Sequence, residues 1–465
     1  MNNITKIIGG LVVAGGITVV ATPLIYQKQI DKIIKQEKQI LSQNNISLTE
    51  KLNKDSFFNI KREYIITLTD VAPIIKQVYP NITSYDLSAF QEAFNGTQFL
   101  LELDFSKFPI SHKDAVKISL YKLNKNSNDY LKKDYAGKEI LNFIKNKGLE
   151  LIIDTNSLKI AKVRLKDIDL VLHKNQNSKD IIKFEVKNTY TNFKNSSTST
   201  TNTDKIEFNL VSPKLITDIK LEKAQYTISK QNDFNYKTNT NIQNFSYVAA
   251  KKYFYTNNKF VKVTLTLNNI KSSSKVSAIV NNLSIENNLN IKKTQIENED
   301  NHVSILVDNF TFNNKFEKLD LSSIKKIINT IQNSSNPNMN TLQQPIQTLI
   351  NKGFTFKINP LSFDKIVINN SVENTKIDNL KLTLSTTLKP NDFKLNYNRP
   401  DYLLNYIDSD LNINTTKNNV KLLSTAIPIS NLYLSKLKLV KTQNGVNINI
   451  SYKNGKLTSN GKPIQ

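Results

Sequence analysis

Past residue 46 the chain alternates apolar and polar side chains in short runs: Ile182, Phe184 and Val186; Ile206, Phe208 and Leu210; Val263, Leu265 and Leu267; Val446, Ile448 and Ile450. A period of two places every second side chain on the same face of a strand, so each run predicts a strand with one apolar and one solvated face. Antiparallel sheets carry that pattern. Parallel sheets require crossover helices, and helical periodicity is scarce here. The reading is a mainly β (α+β) protein: an elongated, twisted antiparallel β-sheet body.

A second pattern interrupts the first. Leu267-Asn268-Asn269-Ile270, Val280-Asn281-Asn282-Leu283, Val307-Asp308-Asn309-Phe310 and Ile377-Asp378-Asn379-Leu380 each set two polar residues between apolar ones. Asn and Asp tolerate turn geometry, so each site marks a strand that bends, bulges or ends; irregular spacing argues against a strict repeat, and chance in an Asn-rich chain is the competing explanation. Helical spacing appears at Ile324, Ile327, Ile328 and Ile331 after Asp320 and Ser322, and again at Ile346, Leu349 and Ile350. Pro345 fits a first turn and Gly353 a stop, which predicts a helical-hairpin insert near 320–353. A further helix is expected over 136–147. Residues 192–204, dense in Ser, Thr and Asn, read as a loop.

The first 26 residues follow neither pattern. From Ile7 to Tyr26 no side chain is charged, and Leu11, Val12, Val13, Ile17, Val19, Val20, Leu24 and Ile25 supply its bulk. Twenty residues at ~1.5 Å each span roughly one hydrocarbon core of ~30 Å. Val19-Val20-Ala21 also fits a cleavage site, but the apolar run continues beyond it, which favours a retained anchor over a removed signal. Residues 27–45 follow as an amphipathic juxtamembrane helix, with Ile30, Ile33, Ile34, Ile40 and Leu41 at helical spacing against Lys28, Lys32, Lys35 and Lys38. The β-rich region then runs over 46–465, as one elongated body or two lobes, since 465 residues exceed a single core.

Composition adds mostly exclusions. With no Cys there is no disulfide and no thiolate metal site. The net charge of +24 suggests a nucleic-acid partner, yet only Arg62, Arg164 and Arg399 are arginines and the lysines are scattered along the whole chain. Scattered lysine among Asn and Ile is the drift of AT-rich coding, and no nucleic acid is expected. His112, His173 and His302 lie in no spaced motif, and glycine-rich phosphate loops and nucleophile elbows are absent. Asp167 and Asp169, two apart on an expected strand, could share a face as an acid–base pair, although solvated charge explains them better. The expectation is a protein that is not an enzyme, with no cofactor, catalytic residue or metal site.

The tail reads Tyr452-Lys-Asn454-Gly455 and then Asn460-Gly461, two tight-turn signals five residues apart. Together with the terminal anchor, and with Gly353 leading into Phe354, Phe356, Ile358, Pro360 and Leu361, this resembles the YdgA-like family of bacterial membrane-anchored envelope proteins of unknown function. The resemblance implies a single-pass inner-membrane anchor with the body in the periplasm, whereas Lys28, Lys32, Lys35 and Lys38 just after the span, against Lys6 before it, would by the positive-inside count place the body in the cytoplasm. It implies inner-membrane lipids as a partner and carries over no catalytic residue. By analogy of architecture, a curved sheet with an apolar face would hold lipid or another hydrophobic ligand. A scaffold that binds other envelope proteins is the alternative, and a hydrolase is disfavoured.

Overall fold

A computed structural model describes residues 23–465 except 57–58, 80–81, 107–113, 157–158, 176–178, 196, 253–259, 334–338, 372–373, 395–399, 427–436, 438, 444 and 465. The chain divides into two compact units, residues 1–217 and 218–465. Both are built on antiparallel strands. No helix among the described residues is long and apolar enough to cross a membrane. Ile7, Leu11, Val12, Val13, Ile17, Val19 and Val20 lie outside the described residues, and Leu24, Ile25 and Tyr26 fall in the first turns of the first described helix.

That helix, α1 (Pro23–Gln43), ends where Asn45 takes a left-handed φ of 57° and turns the chain into β1 (Ile46–Asn53). Its apolar stripe is buried: Ile30 and Leu41 join Ile46, Leu48, Ile60, Tyr64, Ile66, Leu101, Leu103, Phe105, Val116 and Ile153 in one core. Those partners come from β1, β2 (Asn59–Leu68), β3 (Gln98–Ser106), β4 (Asp114–Lys122) and β5 (Glu150–Asn156). The amphipathic face of α1 is thus committed to the protein core, and its lysines Lys28, Lys32, Lys35 and Lys38 stay exposed.

Arg62, 5 % exposed, sits on the same face of β2 as Ile60 and Tyr64. It donates from Nη1 to Asp31 of α1 at 2.5 Å and from Nε and Nη2 to Asp55 at 3.1 and 2.5 Å. Burial would lower its pKa, but the hydrogen bonds to Asp55 and Asp31 outweigh that and raise it. The ion pair ties helix to sheet.

The connections of unit 1 carry α2 (Ala72–Val78), α3 (Ser84–Phe94), α4 (Lys125–Leu131) and α5 (Tyr135–Lys145). Of these, α5 is the helix that the sequence predicts over 136–147. Beyond β5 the sheet continues with β6 (Lys159–Leu165), which pairs β9 (Thr189–Asn195); β9 pairs β10 (Thr198–Val211); β10 pairs β8 (Ile181–Lys187); and β8 pairs β7 (Ile168–His173). The expected loop over 192–204 is therefore a correction. Its threonines are β-branched and pair across strands, Thr189 donating to Thr203 at 3.1 Å and Thr191 bonding Thr201 at 2.8 Å, so a polar run forms a strand.

Unit 2 holds most of β11 (Leu215–Asn232), then a meander: β12 (Asn235–Lys252), β13 (Phe260–Ile279), β14 (Asn282–Asn298), β15 (Val303–Asp320), β16 (Phe354–Asn369), β17 (Asn374–Leu388) and β18 (Ile407–Thr415). From β12 onward each pairs the next. β19 (Val440–Lys441) and β18 pair β20 (Val446–Lys453), followed by β21 (Lys456–Ser459) and β22 (Lys462–Pro463).

The helical hairpin enters between β15 and β16 as α6 (Leu321–Asn333) and α7 (Met339–Lys352). Buried Asp320 caps α6 by accepting from Ser323 N at 2.8 Å and also accepts from Lys352 Nζ at 2.6 Å. Leu321, Ile324 and Leu349 pack on Val276, Leu283 and Leu319 at one end of the sheet. Pro345 corrects the expected first turn: α7 begins at Met339 and places it inside the helix. A last helix, α8 (Lys417–Ala426), follows β18.

Candidate functional site: a polar seam behind an open apolar face

The Asn pairs of the sequence acquire a common meaning in the strand register. In unit 2 the ladder between β12 and β13 joins Ile242 to Ile270 and Asn244 to Asn268 but skips Gln243 and Asn269. The next ladders skip Asn269 with Lys292, Lys292 with Asn309, and Asp364 with Asn379. The skipped positions form one line across six strands. On alternate strands the skipped residue is left-handed: φ is 52° at Asn269, 53° at Asn309 and 49° at Asn379, with 49° at Lys223 on β11. Asn tolerates that conformation better than other side chains, which is why it recurs there.

Each interruption inserts one residue into the period-two pattern and so exchanges the faces. Before the line, β13 directs Val263, Leu265 and Leu267 to one face; after it, Ile270, Val276 and Ala278 hold the apolar positions. A slip of one residue moves every later side chain to the other face. The sequence slips at the same place, so Ile270 stays on the apolar face, and Ser272 and Ser274 follow it there before Val276 and Ala278.

In unit 1 the same device joins elements labelled as separate strands. β6 with β7, and β8 with β9, keep one register across Lys166-Asp167 and Lys187-Asn188, and Asn188 has a φ of 48°. Asn188 N donates to Asp167 Oδ1 at 2.8 Å and Asn188 Nδ2 to Asp204 Oδ2 at 2.7 Å. Asp167 therefore lies between strands, holding this crossing. Asp169 lies in β7 itself, opposite Glu185 of β8.

On the polar side of unit 2 the paired residues line a cavity of about 650 Å³. Its walls are Gln243-Asn244, Asn268-Asn269, Lys292-Lys293, Asp308-Asn309, Asp364-Lys365 and Asp378, without one apolar side chain. Three lysines balance three aspartates, so the seam presents no net charge to a ligand. Hydrogen bonds tie the lining to itself and to its surroundings: Asn309 Nδ2 donates to Asp364 Oδ2 at 2.6 Å, Asn244 Nδ2 to Glu222 Oε2 at 3.1 Å, and Asp378 N to Asn419 Oδ1 at 3.2 Å. This is a structural spine. Among the described residues no cluster could hold a metal ion.

The opposite face carries the larger surface. One cross-strand row is Phe245, Leu267, Thr294, Val307, Ile366 and Ile377; on the other side of the seam lie Ile242, Ile270, Ile291, Phe310, Phe363 and Leu380. A third row runs through Leu289, Phe312, Leu361, Leu382, Ile413 and Ile448. All twelve residues of the first two rows are only half-buried. A second layer would bury them, as α1 buries Ile60 and Phe105 in unit 1. Strands of up to 20 residues at ~3.3 Å each run roughly 60 Å, and a polar row of Thr238, Ser274, Asn287 and Asn314 crosses this face beyond the three apolar rows.

The residues singled out in the sequence occupy structural places. Gly353, at φ 72°, links α7 to β16, and a Cβ there would meet Leu388 O at 2.4 Å. Pro360 follows a cis bond at a bulge of β16. Tyr452 lies in β20. Asn454-Gly455 and Asn460-Gly461 form the turns flanking β21, with all four φ values positive, as two-residue hairpins of that type require. Among the histidines, His112 is outside the described residues; His173 bonds Glu139 at 2.9 Å, and His302 sits at the turn before β15.

Comparisons with family models, curated proteins and solved structures return no match.

Proposed function

We propose that the chain is a non-enzymatic, membrane-anchored envelope protein: residues 7–26 in the bacterial inner membrane, the body in the periplasm, and the apolar face of unit 2 applied to lipid or another long hydrophobic ligand. The observation that carries the reading is the open apolar face, whose rows on the two sides of the seam are kept on one face by six aligned interruptions from Gln243 to Asn379. Evenly half-buried aliphatic and aromatic rows suit a long, flexible apolar chain better than a compact polar substrate. Burial gains about 0.8 kcal/mol per methylene, so some ten methylenes give roughly 8 kcal/mol before ordering costs. The uncharged N-terminal stretch and the resemblance of anchor and tail to the YdgA-like family support the location.

The test is binding of a fluorescent lysophospholipid to the full chain held in nanodiscs, with empty nanodiscs subtracted. Saturable binding that falls at least tenfold in Phe312→Glu, a residue paired with Leu361 in the third row, supports the reading. Equal signal from wild type and empty discs removes it. The scaffold alternative draws on one observation: α6 leaves Ile328 and Ile331 exposed.

A further inference from the structure

The hairpin between β13 and β14 turns on Val280 and Asn281, and its tip breaks two rules together. Ile279 is 72 % and Val280 85 % exposed, the highest exposure of any two adjacent large aliphatic side chains among the described residues. Val280 also has a φ of 55°. A β-branched residue in that region is a true outlier, because Cβ crowds the following carbonyl, and hairpin turns place Gly or Asn there. Asn281, the next residue, would fit the left-handed site, yet the chain spends it on Val280. Strain combined with exposure marks a side chain retained for something outside the fold.

The tip is rigidly mounted. Leu321 N donates to Asn281 O at 2.9 Å, fixing the turn to the start of α6, and Leu283 beneath it is 2 % exposed. Around this mount Lys318, Lys325 and Lys326 are exposed, and α6 continues to exposed Ile331. Protein interfaces favour Tyr, Trp and Arg and are depleted in Lys. Two aliphatic side chains are also far short of the ~800 Å² per partner of a stable protein complex. A small aliphatic point with exposed Lys318, Lys325 and Lys326 on the elements beside it, and with the one exposed carboxylate of the adjacent hairpin, Asp233, paired to Lys230, matches the boundary of headgroup and acyl chain in an anionic leaflet, where shallow insertion and lysine attraction add.

We infer that the Ile279-Val280 tip inserts into an anionic lipid surface, a membrane contact separate from the N-terminal anchor. It rests on the proposed function only in that the protein is held at a membrane. Its test does not use the apolar sheet face, so the two fail separately.

Full chain held in nanodiscs is mixed with protein-free liposomes and floated. Wild type is expected to co-float with liposomes containing phosphatidylglycerol and at least tenfold less with phosphatidylcholine alone. Val280→Gly relieves the backbone strain while removing the side chain, so it should unfold at equal or higher temperature yet lose co-flotation at least tenfold; Ile279→Ser should lose it as well. Undiminished co-flotation of both variants overturns the inference. So does wild type that floats with neither liposome, or a tip variant whose only change is the oligomeric state of the chain.

Discussion

Arg62 shows what a single side chain contributes. It occupies a core position of β2, and its guanidinium joins Asp31 of α1 to Asp55 beside the sheet. Arg62→Met keeps the apolar stem but leaves two carboxylates facing an apolar core. Breaking a buried pair costs ~3–5 kcal/mol, and the partly exposed Asp31 moves the expectation to about 3 kcal/mol. Urea unfolding of the full chain measures it, and Arg62→Lys should recover little because lysine cannot fork. Glu185, 2 % exposed, is a carboxylate enclosed by lysines: Lys187, Lys183 and Lys205 hold its carboxyl down to about 2 from 4.5. A depressed carboxyl stabilises the fold above its unfolded value and loses that contribution as pH falls towards the folded one. Stability should therefore drop between pH 4.5 and about 2, and Glu185→Gln should flatten that drop when melting temperature is followed against pH. Neither role was legible beforehand, because Arg62 and Asp31 are far apart in sequence and lysines surround every carboxylate.

At the scale of the element, the lesson lies in the interruptions. Val263, Leu265 and Leu267 predict a strand, and they belong to one; but β13 runs on to Ile279, because Asn268-Asn269 shifts the alternation by one residue instead of ending it. Periodicity therefore reports short runs where strands of up to 20 residues exist. The helical hairpin was legible because its isoleucines keep a clean i, i+3, i+4 stripe; α2, α3 and α4 are short or weakly patterned and were not. The signal for the seam was present as apolar residues three apart around a polar pair, and its alignment across strands became visible only in register. Asn309→Gly should be neutral within about 0.5 kcal/mol, whereas Asn309→Val, β-branched at a φ of 53°, should cost about 1–2 kcal/mol. Thermal unfolding of the two variants side by side checks the left-handed seam.

At the scale of the whole molecule, the two units use the sheet differently. Unit 1 covers β1 to β5 with α1 and locks them with Arg62, and so resembles an ordinary two-layer body. Among the described residues unit 2 sets α6 and α7 on Leu283 and Leu319 at one end and α8 beside β17 through Asn419, while its first two apolar rows stay half-buried. A polar seam whose three lysines balance three aspartates, and whose Asn309 and Asn244 are bonded to Asp364 and Glu222, offers little to a ligand, while the face behind it offers apolar surface. The sidedness of the sheet is therefore the central claim. Adjacent residues test it: Phe310 belongs to an apolar row, and Asn309 to the seam on the other side. A benzophenone side chain placed at each position in the full chain, irradiated in intact cells and analysed for lipid adducts, is the most direct measurement. Adducts at position 310 and none at 309 are the predicted result; equal labelling at both, or labelling at 309 alone, would contradict the account.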